Sequence, residues 1–343
     1  MARRGILITF VPLKICITGG TGFVGRVLTR QLLDAGHGVR LVVRRPPRPV
    51  LQARRFPMMP DFATADFSSS ASLSGAFRGH DAVIHLIGII GELGSQTFER
   101  VHTDLSRTVM EATRDAGVRR LLHMSALGTG AQARSRYHQS KWAAEEIVRG
   151  SGLDWTLFRP SLIHGREDGF TRLFARISAW SPVVPLLGSG SSLLQPIAVE
   201  QVARAFVGAL GLPEAVGRSY DLCGTERLTL HEVIRTLLEA EGRRRCLFRV
   251  PMGVARAWAG VLEATFPPIL RRAPPFSRDQ LLMLEEGNIG DGGPADRAFG
   301  LVHRRFADDM RRLAGRAGVD LAVDPAGARI IDNVAPGRPG GAL

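Results

Sequence analysis

Lysine is nearly missing from this chain. Of its 45 basic residues only Lys14 and Lys141 are lysines; the rest are arginines. Tyrosine is as scarce, with only Tyr137 and Tyr220. Each rare residue therefore invites a chemical explanation. The three cysteines, Cys16, Cys223 and Cys246, lie far apart and have neither metal nor disulfide spacing. That usage fits a reducing cytoplasm. The nine histidines include no His-Glu-x-x-His arrangement, so no metal site is expected. No apolar run approaches the ~20 residues that span a bilayer. Met1 to Arg4 followed by Gly5 to Val11 imitates a short signal peptide. It lacks a small-residue cleavage site and runs straight into a strand, so secretion is not expected. A translation start near Val11 is an alternative. The expected location is the cytoplasm, with the inner face of the membrane as a peripheral site.

The formal net charge of +13 raises the question of an anionic partner. The arginines are spread along the whole chain and no basic patch is interleaved with aromatics. A diffuse surface charge is expected, not a nucleic-acid site.

The most informative stretch is Gly19-Gly20-Thr21-Gly22-Phe23-Val24-Gly25. Ile15 to Thr18 before it reads as a buried strand, and Val24 to Leu33 after it as a helix. A strand, a glycine turn and a helix start form a phosphate cradle. The glycines permit positive φ and close backbone approach. The free N–H groups and dipole of the helix start then face a pyrophosphate. Thr18, Gly19, Gly22, Phe23, Val24 and Gly25 are accordingly expected to bind a nicotinamide dinucleotide. Val39 to Val43 reads as the second strand and ends in Arg44-Arg45. An acid there would hold the 2′-hydroxyl of NAD, whereas arginine suits a 2′-phosphate. NADP(H) is therefore expected over NAD(H), with Arg44 as the reader. A third short strand ends at Asp66, which either approaches the adenine or caps the following turn.

Strands at 81–88, 120–125 and 153–160 alternate with helices at 72–77 and 98–116. That alternation predicts a doubly wound parallel sheet. The carboxyl end of the fourth strand places Gly88 beside the cofactor. His85, inside that strand, reads as a core histidine. Past Pro160 the pattern changes to a smaller, mostly helical lobe, where a small-molecule substrate of unknown identity would sit. The expected division is an extension over 1–12, a cofactor domain over 13–160, a second lobe over 161–310 and a largely flexible tail over 311–343. Residues 196–225 are expected to return to the cofactor domain. Thr229 and Glu232 are spaced as a capping box.

One of the two tyrosines stands four residues before one of the two lysines. On a helix this spacing puts Tyr137 and Lys141 on one face. An ammonium nearby is expected to lower the phenol pKa, so that Tyr137 can exchange a proton near neutral pH. Ser125, at the end of the fifth strand, could hold the same substrate oxygen. Lys141 could also reach the nicotinamide ribose. Together they would polarise a carbonyl during hydride transfer.

These features resemble the short-chain dehydrogenase/reductase superfamily. The glycine pattern of Thr18 to Gly25 is similar to its extended and atypical branches, which include the NAD-dependent epimerases and dehydratases. Ser125, Tyr137 and Lys141 match the superfamily's catalytic set. Val83-Ile84-His85-Leu86 and Phe158-Arg159-Pro160-Ser161 resemble strand ends of the extended branch, which implies a cofactor contact at Pro160. His85 to Gly88, Ser125 to Gly128, Gln195-Pro196-Ile197 and Pro274 to Gln280 resemble an atypical group around the NADPH-binding accessory subunit of respiratory complex I. The resemblance implies bound NADP(H), either turned over by an oxidoreductase or epimerase, or held structurally by an accessory factor of a respiratory or quinone-related complex. The short Ser125–Tyr137 interval speaks against a nucleotide-sugar substrate.

Overall fold

A computed structural model describes residues 11–45, 59–266 and 274–320. The first half follows the order β1 (Lys14–Thr18), α1 (Phe23–Asp34), β2 (Gly38–Val43), β3 (Asp61–Thr64), α2 (Ser70–Phe77), β4 (Ala82–His85), α3 (Leu105–Asp115), β5 (Arg120–Met124), α4 (Arg136–Arg149) and β6 (Asp154–Pro160). The second half adds β7 (Ile163–His164), α5 (Gly169–Trp180), β8 (Val183–Leu187), β9 (Leu193–Leu194), β10 (Ile197–Ala198), α6 (Val199–Leu210), β11 (Arg218–Leu222), β12 (Leu228–Thr229), α7 (Leu230–Ala240), β13 (Cys246–Val250), α8 (Met252–Thr265), α9 (Arg278–Glu286), α10 (Gly293–Phe299) and α11 (Phe306–Asp320).

Seven parallel strands form the main sheet in the order β3-β2-β1-β4-β5-β6-β11. Both faces are covered, which is why its central strands read as continuous apolar runs. The two-residue period divides β1 between the layers. Ile15 and Ile17 join Leu28, Leu32, Val202 and Phe206 under α1 and α6. Cys16 faces the other way, with Phe77, Val109 and Val148 under α2, α3 and α4. The strand order reverses between β1 and β4, so the crevice for a ligand opens past Thr18 and His85, which are register partners. Residues 197–222 supply α6 and then β11, which pairs with β6.

The second lobe has its own core, built from Phe174, Val184, Leu186, Val233, Ile234, Phe306 and Met310. Small two-stranded pairings stitch it together: β8 with β13, β9 with β12, and β7 with β10. Thr229 and Glu232 form the expected capping box at the start of α7.

Two sequence expectations change. The helix anticipated over 98–116 begins as a π-helical turn, Glu99–Asp104, before α3. The tail anticipated from 311 is helical as far as Asp320, because Phe306, Met310 and Leu313 pack on the second core. Most of the proline- and arginine-rich loop (46–58), most of the N-terminal extension (1–10) and the rest of the tail (321–343) lie outside the described residues.

Candidate functional site

The glycine turn is built for close approach. Gly19 has φ +83°, and a Cβ there would stand 3.1 Å from the backbone of Leu86 and Ile87. A Cβ on Gly25 would fall 2.3 Å from the Gly19 carbonyl oxygen. The Gly22 N–H donates to the Gly19 carbonyl at 3.0 Å, closing the turn. Gly22 is the residue before α1, so no side chain caps that helix start. Its dipole end is thus left for an anion. Val24 is buried behind it, and the Phe23 ring packs beside Gly165. The Thr18 hydroxyl is taken by His85, whose Nδ1 lies at 2.6 Å.

A cleft of about 1300 Å³ runs from this turn over the ends of β2, β3 and β4. Gly19, Arg44, Arg45, Asp66 and Gly88 all line it. Asp66 accepts the Ser68 N–H at 2.9 Å and its hydroxyl at 2.7 Å, which holds its carboxyl below the ordinary range. It therefore caps its turn while also edging the cleft. Pro160 lies buried at the end of β6, where its carbonyl accepts the Leu127 N–H at 2.9 Å.

Tyr137 and Lys141 stand on α4 and do not line that cleft themselves; Lys141 reaches it only from behind Gly88. Lys141 is only 3% exposed and its Nζ donates to the Met124 carbonyl at 3.1 Å. A Cβ on Gly88 would stand 3.1 Å from the same nitrogen. Burial pulls the ammonium pKa down to about 8, against an upward pull from Glu145 one turn later. Ser125 follows Met124 directly and is 3% exposed. Its Oγ has no hydrogen-bond partner among the described residues. Lys141 is thus held at the carboxyl end of β5, which Ser125 follows, one turn of α4 from Tyr137.

Tyr137 departs from expectation in one respect. Burial raises its pKa to about 12 rather than lowering it. The phenol ring is packed edge-on against Phe98, His102 and His138, at 5.8, 5.3 and 5.3 Å between centroids. Lys141, turned to a backbone carbonyl, does not offset the loss of water.

Sequence reasoning missed the histidines beneath Lys141. The π-helical turn pushes His102 inward, where Nε2 accepts the Ile89 N–H at 3.0 Å. Nδ1–H must then donate to Ser140 Oγ at 2.8 Å, and Ser140 donates on to the Tyr137 carbonyl, also at 2.8 Å. This chain fixes one neutral tautomer. His85 and His123 lie close by, 5.2 Å apart between rings. Burial first, and the Lys141 charge second, drives the His85 pKa down to about 3 and that of His102 lower still. The four-residue step from Phe98 to His102 was the available signal, a polar residue beside an apolar stripe.

Missed as well was the grip of the second lobe on α4. Asp279, on α9, accepts the Arg136 N–H at 2.7 Å and the Tyr137 N–H at 3.1 Å. Glu286, at the far end of α9, accepts from His138 Nδ1 at 2.7 Å and from Ser135 Oγ at 2.8 Å. Arg159, near the end of β6, is committed to buried Glu145 through two hydrogen bonds of 2.8 and 2.5 Å.

No group of histidine, cysteine and carboxylate residues suited to a metal ion occurs among the described residues. No helix of the described residues is long and apolar enough to cross a membrane.

A family profile described as NAD(P)H-binding matches residues 19–178. The chain is 30% identical over 257 residues to the mouse (Mus musculus) NADH dehydrogenase [ubiquinone] 1 alpha subcomplex subunit 9, covering 73% of this chain and 67% of that protein. It is 32% identical over 240 residues to a ceramide reductase of Caulobacter vibrioides, covering 69% and 73% respectively. Among solved structures, a dTDP-glucose 4,6-dehydratase from Streptomyces venezuelae, with NAD and TYD bound, superposes with a TM-score of 0.70 at 20% identity, over 90% of this chain and 98% of that one. That likeness concerns the fold. With the glycine cradle, the uncapped helix start and the strand order, these relationships place the chain in the NAD(P)H-binding, extended and atypical short-chain dehydrogenase/reductase family.

Proposed function

We propose that this protein is an NADP(H)-dependent oxidoreductase or epimerase-type enzyme acting on a carbonyl or its hydroxyl counterpart. Bound nicotinamide would supply or accept the hydride. Ser125 would hold the reacting oxygen, Tyr137 would deliver or take its proton, and Lys141 would orient the nucleotide and ease ionisation of the phenol. Gly19, Gly22 and Gly25 would cradle the pyrophosphate, and Arg44 would meet a 2′-phosphate.

The observation that carries this reading is Ser125 Oγ, buried and without a partner among the described residues, one residue past the Met124 carbonyl that holds the Lys141 ammonium. A buried hydroxyl left unsatisfied costs stability, and a substrate oxygen would satisfy it. With its pKa raised to about 12 by burial, Tyr137 is protonated at neutral pH, and this role requires bound nucleotide and substrate to lower it toward the operating range. The relative named a ceramide reductase favours the reductive direction.

Similarity to a respiratory complex subunit favours a second reading, in which the dinucleotide is held structurally by an accessory or assembly factor. One experiment separates the two. The purified protein is loaded with labelled NADPH, and exchange is timed against unlabelled nucleotide. Exchange within seconds is expected, with NADPH oxidation on a carbonyl panel that falls by about a hundredfold or more in Tyr137→Phe. Exchange over many hours, with no turnover dependent on Tyr137, would establish the accessory reading instead.

A further inference from the structure

A second cavity, of about 520 Å³, opens between α6, which packs under the main sheet, and α11, which packs on the second core. It shares no lining residue with the nucleotide cleft. It is lined by His164 on β7, by Glu200 and Arg204 one turn apart on α6, by Arg304, and by Asp309 and Arg312 one turn apart on α11.

These groups meet in the cavity without satisfying one another. His164 is only 4% exposed, and its ring is seated edge-on against Phe306 at 5.2 Å between centroids. Its Nε2 stops 3.9 Å from Asp309 Oδ2, beyond hydrogen-bond reach. Neither ring nitrogen has a hydrogen-bond partner among the described residues. Burial brings the His164 pKa down to about 4, so the ring is neutral, with one nitrogen able to donate and the other to accept. The Asp309 side chain is 15% exposed, and its carboxylate accepts no hydrogen bond among the described residues. Burial raises its pKa against an opposing pull from Arg304, and Glu200 adds to the rise. Arg204 and Arg304 have no carboxylate within ion-pairing distance among the described residues. The start of α6 adds positive character, since Ala198 lines the cavity and gives that helix no side-chain cap.

We propose that this cavity binds a small phosphate ester that also carries hydroxyl groups. The phosphate would meet the guanidiniums of Arg204, Arg304 and Arg312, whose donor geometry suits it. The hydroxyls would donate to Asp309 and Glu200 and pair with the His164 ring. A bare oxyanion would face two carboxylates with no donor to offer them. A neutral polyol would leave the guanidiniums unmatched. The volume falls in the range of small-molecule sites. The proposal does not depend on whether the nucleotide is turned over.

The test is calorimetric titration of the full chain with glycerol 3-phosphate at two temperatures, with excess NADPH present to fill the nucleotide cleft. Saturable binding is expected. Inorganic phosphate and glycerol are each expected to bind at least about tenfold more weakly. The combined Arg204→Gln and Arg304→Gln variant is expected to lose at least about tenfold in affinity for the ester while binding NADPH like the parent. Asp309→Ala is expected to weaken the ester by about tenfold and to leave inorganic phosphate no weaker. No saturable binding of the ester would overturn the proposal. So would binding that either variant leaves unchanged, or phosphate or glycerol bound as tightly as the ester. NADPH affinity, titrated separately, reports on the nucleotide cleft and is independent of these outcomes.

Discussion

At the nucleotide end the proposed preference for NADP(H) rests on a single residue. Arg44 is exposed at the end of β2 and lines the cleft, so its guanidinium competes with water whatever it binds. A charge-assisted contact to a 2′-phosphate is worth about 1.5–3 kcal/mol, the lower end applying in an exposed position. Arg44→Ala is therefore expected to lower the ratio of NADPH to NADH affinity by about tenfold, leaving NADH within about twofold. Fluorescence titration of both nucleotides checks this, and an unchanged ratio would remove the NADP preference. Rarity made some residues legible in the sequence: a tyrosine and a lysine four apart, in a chain with two of each, stood out. His102 was less legible: its four-residue step from Phe98 set it beside the apolar stripe, but nothing in the sequence marked the π-helical turn over Glu99–Asp104. The burial that raises the Tyr137 pKa was equally hidden, since it comes from Phe98, His102 and His138 closing on the ring.

At the scale of elements, the start of α4 is the junction that matters most. Ser135 is its N-cap, accepting the His138 N–H, while Asp279 takes the next orphan donors from the other lobe. A carboxylate at a helix start is favoured both by hydrogen bonding and by the dipole. Asp279→Ala is expected to destabilise the protein by about 1–2 kcal/mol. Because the Tyr137 N–H is one of the two donors, turnover is expected to fall about tenfold or more, with NADPH affinity unchanged. Urea unfolding alongside steady-state kinetics distinguishes positioning from general destabilisation. If stability falls and turnover at low temperature does not, Asp279 is a cap and no more. The long elements were legible because their periods are strong: the β1 glycine turn, α1, the apolar central strands and the Thr229 box needed no tertiary information. The short strands β7, β9, β10 and β12 are two residues each and exist only through their partners across the second lobe. Helix α11 follows the same logic, since Phe306 and Met310 show their role only once the second core is assembled.

For the whole molecule, the sharpest consequence is its response to acid. His85, His102, His123 and His164 are buried, and burial drives each pKa below the ordinary value, to about 3 for His85 and about 4 for His164. As pH falls below 6.5 the unfolded chain takes up protons at these imidazoles and the folded chain does not. Unfolding is then favoured by about 1.4 kcal/mol per pH unit for each histidine. Lys141 works in the same direction at the alkaline end. Between pH 8 and 10.5 the unfolded chain keeps a proton that the folded one has lost, so stability rises with pH there. Carboxylates such as Asp154 and Glu232, whose pKa values are held down by hydrogen bonds, contribute only once the pH falls to about 4. The free energy of urea unfolding is accordingly expected to drop by several kcal/mol between pH 6.5 and 5, before ordinary carboxylates titrate. Replacing His102 by Asn is expected to make that drop shallower by roughly one histidine's worth, since asparagine carries no proton to gain. Proton uptake on unfolding at pH 5.5, read from calorimetry in buffers of different ionisation enthalpy, gives the number directly. An uptake near zero would mean that the imidazoles are already charged in the folded protein. The neutral His102 tautomer that links Ile89, Ser140 and Tyr137 would then have to be abandoned.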